Sequence, residues 1–595
     1  MGRAFQMLES GRMKTLALLL LLAAPSFAVE NPQAAALNDL IKRDWDRQMR
    51  EDPLGASDLG DLRFNDQWPD LSFEGIKKHH EEDQAALAEI EKIDPKTLAG
   101  EDAIDYDLFK WIHQDRLASY DFHEYLFALN QMGGIQTTGD LTTQSLRFAE
   151  LKDYEDWVTR MKTFGPYMDQ TIALLAQGVK EGRTLPAVVA SRIPKQIDAN
   201  LVSDSDKSAF LEPFMHYPDK IPDADRARLR GEAERAFADA VRPAFKRLKK
   251  YFNEDYLPHC RQSTAARDLP DGKKYYAYLV GHFTTTRYTP DQVHAIGLKK
   301  VEEIRAQMGD VMKETGFTGT LPEFFKYLRE DPKFHYTDAK DLLNAYRAQG
   351  KALDPLLVKW FGREPRVPWG IDPIPADQAP DTYTAYSSGP SGDGRRAAIM
   401  SVNTYKPQTR PIYEIPALTC HEGRPGHALQ LSIASELTGL PEFRRFGYFN
   451  AYGEGWALYC EVLCQEMGVY DDPYKKFGML SYQMWRALRL VADTGLHDEG
   501  LTRDQAIKLF EDNSALTRQN IEAEVDRYIS WPGQALSYMI GEIKIQELRK
   551  RAEKKLGPRF DVRGFHDAIL GEGTLPLDVL DGVAARWTAA QESGK

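Results

Sequence analysis

The sequence predicts a mainly α-helical fold in two lobes, and three observations point there. The chain has 595 residues, well beyond what one compact core organises. From residue 34 to 260 apolar side chains recur at helical spacing, as in Ala85, Leu87, Ile90 and Ile93, or Trp157, Met161 and Phe164 followed by Met168, Ile172 and Leu175. Strand-like alternation is scarce over the same stretch. With 42% hydrophobic and 11% aromatic residues the chain has material for a core, which excludes disordered and fibrous classes.

Taken in order, the chain opens with Lys14, an apolar run from Leu16 to Ala24, and Pro25-Ser26-Phe27-Ala28. Small residues at the −3 and −1 positions of a cleavage site are the mark of a secretory signal. The expectation is a signal peptide over 1–28, with translation starting at Met13 and cleavage after Ala28. Its apolar run is too short to span a bilayer, and no cysteine stands at the cut site to take a lipid. No later segment holds eighteen apolar residues in a row, so a periplasmic or secreted protein without a membrane span is expected.

Residues 29–270 are then expected to form an N-terminal helical lobe. Between 260 and 290 the pattern turns rich in Pro, Gly and Thr, after which Pro290-Asp291 opens a long helix through Met312. That change separates the first lobe from a catalytic lobe over 271–595. The clearest strand is Ala397 to Thr404, preceded by the turn chemistry of Gly389 to Gly394, so a small sheet is expected there. Charge runs at Lys246–Lys250 and Arg549–Lys555 read as solvated helix faces. The formal charge of −13 would repel nucleic acid, and nothing in the sequence specifies an oligomeric state.

Four cysteines, Cys260, Cys420, Cys460 and Cys464, are too few for a disulfide scaffold in a chain this long. They are expected as buried small apolar residues, with one bridge among Cys420, Cys460 and Cys464 as the alternative.

Residues 421 to 427 read His-Glu-Gly-Arg-Pro-Gly-His. Two imidazoles around a glutamate are how zinc hydrolases present ligands and a base, ordinarily with the histidines four apart on one helical face. Here they are six apart, which on a regular helix turns the second ring about 240° from the first. Pro425-Gly426 predicts a break or bulge that restores a common face. Glu454, set among aromatic residues 27 positions after His427, completes a candidate ligand set, because a desolvated carboxylate must be paired or bind a metal. Glu461 lies two turns further along the same helix and is expected to support a ligand or contact substrate.

These segments resemble a known bacterial family, the domain of unknown function 885, grouped with the gluzincin-like metallopeptidases. The matching stretches are residues 421–427, Glu454 to Tyr459, Arg489 to His497, Arg527 to Tyr538, and Phe565 to Leu570. The resemblance implies that His421, His427 and Glu454 bind Zn(2+) and that Glu422 is the general base. Looser relatives similar to thimet oligopeptidase and angiotensin-converting enzyme imply a two-lobed helical protein whose deep channel holds the metal at its floor. Within the matching segments Tyr528, Tyr538 and His497 are candidate oxyanion donors. Arg527 is a candidate for a substrate carboxylate, and Asp493 for orienting an imidazole or arginine. The strand at 397–404, with Asn403, is a candidate edge for binding extended peptide. The expected activity is zinc-dependent hydrolysis of short peptides. Its rivals are a metal-dependent hydrolase of a non-peptide bond or cell-wall amide, and an inactive periplasmic peptide-binding protein.

Overall fold

Helix caps written in the sequence divide the chain. Asn31 caps α1 (Pro32–Glu51) through its side chain, Ser72 caps α2 (Phe73–Ile90), and Thr289 with Gln292 forms a reciprocal capping box on the helix Pro290–Glu314. Each satisfies backbone donors that a helix start leaves unpaired. The computed structural model describes residues 31–594 except 203–204, 376–378, 380–382, 392–393 and 395. The expected signal peptide therefore lies outside the described residues, as does part of the Gly389–Gly394 loop.

The architecture is mainly helical and two-lobed, with one small sheet. The described apolar core runs without interruption from Ala34 to Ala584, so the lobes pack onto a shared interior. A separate small cluster of Leu269, Tyr275, Leu279 and Phe283 sits where the composition changes. The sheet has β1 (Trp369–Pro373), β2 (Ala385–Ser388) and β3 (Ala398–Val402) in the order β1-β3-β2. β3 pairs parallel with β1 and antiparallel with β2, with Met400 opposite Ile371 and Ser387. Its Ala398, Met400 and Val402 are buried, the two-residue alternation of a strand with one face packed, within the Ala397 to Thr404 run expected from the sequence.

Seven further helices from the N-terminal lobe and the C-terminal half matter below. They are α3 (Glu101–Asp121), then α4 (Ile415–Glu422) and α5 (His427–Glu436). After them come α6 (Asn450–Glu466), α7 (Pro473–Thr494), α8 (Arg518–Ser530) and α9 (Ser537–Leu556). Every residue of α7 from Phe477 to Thr494 is buried. A helix with no wet face must find partners inside the protein for its polar residues, and α7 carries Arg486, Arg489 and Asp493. α6 and α9 meet at glycines: a Cβ on Gly455 would lie 2.4 Å from Gly541 backbone, and one on Gly541 would lie 1.9 Å from Ala451 carbonyl. This close approach packs the helix that carries Glu454 directly against the one that carries Tyr538. Among the described residues no helix is long and apolar enough to cross a membrane.

Candidate metal centre

The expected irregularity between the two histidines is a complete break. α4 ends at Glu422, the chain loops through 423–426 with a cis Arg424–Pro425 peptide, and α5 starts at His427. The loop folds tightly over the end of α4: a Cβ on Gly426 would stand 1.9 Å from His421 carbonyl oxygen, and one on Gly423 would stand 2.7 Å from that of Thr419. Only glycine fits at such distances. Trp456 on α6 donates its indole N–H to Pro425 carbonyl at 3.0 Å, holding the loop in place. His421 and His427 thus face each other with ring centroids 5.0 Å apart.

Glu454 closes the set. Its Oε2 lies 3.6 Å from His421 Nε2 and 3.3 Å from His427 Nε2, and one ligand atom from each of the three residues lies within 4.8 Å of the others. Exposure rises across the set, from 2% for the His421 side chain to 10% for His427 and 14% for Glu454, so solvent reaches the centre from the His427 and Glu454 side. The far nitrogen of His421, Nδ1, lies 2.8 Å from Glu461 Oε1. A carboxylate there fixes the ring and the tautomer that leaves Nε2 free to bind. Burial disfavours a charged His421 ring, but Glu454 and Glu461 outweigh it and raise the ring to about 9. For Glu454, burial acts upward, yet His427 and His421 hold its carboxyl well below the usual range. Among the described residues no lysine or arginine pairs with Glu454. Two imidazoles and one carboxylate, with no fixed cation between them, fit zinc.

Glu422 is beside this set, 9% exposed, with Ser387 hydroxyl 2.8 Å from its Oε2 and 2.6 Å from its carbonyl oxygen. Ser387 belongs to β2, so the sheet's place in the site is to position the glutamate. Tyr448, half-exposed, donates its hydroxyl to Glu454 Oε1 at 3.3 Å. Neither Ser387 nor Tyr448 was singled out in the sequence, although Tyr448 stands in the aromatic run that marked Glu454.

Other expected site residues have different work. His497 is fully buried, accepts from Ala266 N–H at Nδ1 and meets Tyr528 carbonyl at Nε2, 2.9 Å away; burial pulls it down to about 3. It is a neutral structural ring rather than an oxyanion donor. Tyr528 hydroxyl donates to Glu524 and accepts from Trp485 and Arg489, so its proton is committed. Asp493 accepts from Tyr276 hydroxyl at 2.6 Å and from Gly533 N–H, which ties the 531–534 turn to α7 and orients no imidazole. Asn403 is fully buried and donates to Ala379 and Tyr383 carbonyls, bracing the chain that carries Tyr383 instead of meeting a ligand. Tyr538, with its ring 6.4 Å from His421 and nearly parallel to it, and Arg527, which donates to Tyr538 hydroxyl at 3.1 Å, do lie at the centre.

The cysteines also divide. Cys420 and Cys464 form a disulfide, joining α4 to α6 one residue from His421, while Cys260 and Cys460 are buried free thiols. The expectation of four packing thiols holds for two of them.

A second group of metal-ligating residues lies in the N-terminal lobe. Asp44 of α1, Asp83 of α2 and His113 of α3 bring ligand atoms within 4.8 Å. Here His113 lies 3.1 Å from Asp83 Oδ1 and 3.2 Å from Asp44 Oδ2, but Arg47 Nη2 is 2.6 Å from both carboxylates. Arg116 stands 3.6 Å from Asp83. Burial acts upward on Asp44, and His113 and Arg47 overcome it to hold the group well below the usual range.

The fold has solved counterparts. The crystal structure of a "putative lipoprotein" from Colwellia psychrerythraea superposes with a TM-score of 0.89 at 25% identity, covering 94% of this chain and 99% of that one. A structure of a "putative lipoprotein of unknown function" from Shewanella oneidensis does so with a TM-score of 0.71 at 17% identity over 93% and 99%, a likeness of fold alone. No curated protein matches significantly. The family model described as bacterial protein of unknown function (DUF885) matches residues 53–583, and the chain belongs to that family.

Proposed function

We propose that this protein is an exported zinc-dependent peptidase that hydrolyses short peptides. One observation carries the proposal: His421, His427 and Glu454 converge with no lysine or arginine among the described residues to satisfy the carboxylate, beside a glutamate that ligates nothing. His421, His427 and Glu454 would hold the metal, which when bound supplies a Lewis acid that polarises the scissile carbonyl and acidifies water. Glu422, aimed by Ser387, takes the proton of the attacking water and returns it to the leaving amine. Glu461 keeps His421 in its binding tautomer. Tyr448, which donates to Glu454 Oε1 at 3.3 Å, and Tyr538, which accepts from Arg527, are the hydroxyls that could donate to the developing oxyanion. The gluzincin-like order of His-Glu, His and a later Glu supports the same assignment.

Export rests on three supports: the leader-like start of the sequence, the description of the similar Colwellia psychrerythraea structure as a "putative lipoprotein", and the Cys420–Cys464 disulfide, which suits an oxidising compartment. The test is Glu422→Gln in zinc-loaded protein assayed on a mixed peptide pool by mass spectrometry. Metal content is expected to stay while turnover falls about 10²–10⁴-fold. Undiminished turnover in that variant, or none in the native protein, would count against the proposal.

A further inference from the structure

Beside the metal centre lies a positive charge the protein does not itself neutralise. Arg486 and Arg489 of α7 and Arg527 of α8 gather around the ring of Tyr538, their guanidinium carbons 5.8, 4.3 and 5.9 Å from its centroid. All three are more than nine-tenths buried. The carboxylates facing them are Glu524 and Glu461. Glu524 binds Arg489 at 3.0 Å and lies 3.6 Å from Arg527. Glu461 stands 3.8 Å from Arg486 and is already engaged by His421. Glu414, pushed up to about 7 by burial despite the downward pull of Arg486 and Arg410, carries about half a negative charge at neutral pH and divides it between two cations.

Donors are left over as well. Arg486 Nε and Nη1, Arg489 Nη1 and Arg527 Nε are buried without a hydrogen-bond partner. A buried guanidinium with idle N–H groups is costly, and a planar carboxylate is the group that fits its fork. The cluster adjoins the metal ligands through two contacts, Tyr538 stacked on His421 and Arg486 on Glu461, and it opens toward the half-exposed Tyr383, whose ring lies 5.9 Å from Arg527.

We infer that Arg486, Arg489 and Arg527 form the pocket for the free C-terminal carboxylate of a peptide, so that the enzyme takes peptides by their C-terminal end and releases a short C-terminal fragment. This deepens the peptidase proposal and, for its catalytic part, rests on it. Arg486 is the principal binder, since Glu461 stands 3.8 Å from it and its Nε and Nη1 make no hydrogen bond. A C-terminal carboxylate is ionised at neutral pH and would sit within a few side chains of the bond to be cut. An amidated terminus carries no charge and would leave the idle donors unmet.

The test uses the full-length metal-free protein and calorimetric binding of three probes: acetyl-Ala-Ala-Ala with a free carboxylate, the same peptide as its C-terminal amide, and acetyl-Ala-Glu-Ala amide. The free acid is expected to bind about 10- to 100-fold more tightly than the amide, as for loss of charge-assisted hydrogen bonds. Arg486→Gln should erase that difference and Arg486→Lys should recover part of it, with thermal melts checking that each variant is folded. Equal binding of acid and amide, or of neither, by the native protein overturns the inference without any variant. Binding of the glutamyl amide as tight as the free acid overturns the C-terminal assignment. Cleavage by zinc-loaded protein separates the two proposals. Equal hydrolysis of acid and amide sinks the carboxylate pocket and leaves the peptidase, whereas selective binding of the acid without hydrolysis does the reverse.

Discussion

The protein holds two clusters built from the same parts, histidine and carboxylate with ligand atoms within 4.8 Å, and they differ in what stands around them. At Asp44, Asp83 and His113, Arg47 bridges both carboxylates and Arg116 approaches from the side. That cluster is electrostatically complete, and a divalent cation would have to displace or repel a guanidinium. At His421, His427 and Glu454 the partners are two imidazoles and a tyrosine hydroxyl, groups that release a proton or turn aside. The lesson is that proximity of ligand atoms does not identify a metal centre; the absence of a fixed counter-charge is the more telling feature.

Several experiments can break or sharpen this contrast. The largest difference should appear in stability. Asp44→Ala takes one carboxylate from the buried Arg47 and His113, leaving Asp83 and Glu51 to balance them, and should cost about 3 kcal/mol in denaturant unfolding. Glu454→Gln in metal-free protein should cost only about 1 kcal/mol, because an imidazole can shed its proton when the carboxylate goes and a guanidinium cannot. Equal costs would mean that both clusters are structural. Next, Glu461→Gln should weaken zinc binding about 10- to 100-fold in a competition titration with a chelating dye, with no comparable effect from Asp83→Asn. An unchanged affinity would remove Glu461 from the site.

The smallest effect is one of pH. Burial lowers His113, but Asp44 and Asp83 outweigh it and raise its folded value above that of a free histidine. The stabilisation from its charged form is therefore fully present below about pH 6.5 and is lost as pH rises through the raised folded value. Melting temperatures between pH 6 and 9 should decline less in His113→Gln than in the native protein. Parallel profiles would show that His113 is neutral throughout.

Much of the candidate site was legible in the sequence because its residues are close in the chain and chemically conspicuous. His421, His427 and Glu454 converge, with Glu461 on His421, although the six-residue spacing alone would have turned the rings apart, and Pro425-Gly426 announced the break that brings them together. The helical class followed from the periodicity, and β3 from the Ala397 to Thr404 run that follows the turn residues Gly389 to Gly394. Residues whose work is decided by distant partners were not legible. His497 and Asp493 stand in a conspicuous motif, yet their partners Ala266, Tyr276 and Gly533 belong to other segments. The pairing of Cys420 with Cys464 rather than Cys460 depends on how α4 lies across α6. Arg527 was singled out in the sequence, but its company with Arg486 and Arg489 around Tyr538 and the Asp44 cluster each draw on more than one helix, so no local pattern signals them.

The central claim is most directly tested by elemental analysis of purified protein and of Glu454→Ala, both after zinc reconstitution and dialysis. The account predicts about one zinc per chain in the native protein and almost none in the variant. An absence of metal from the native protein, or the same content in both, would contradict it.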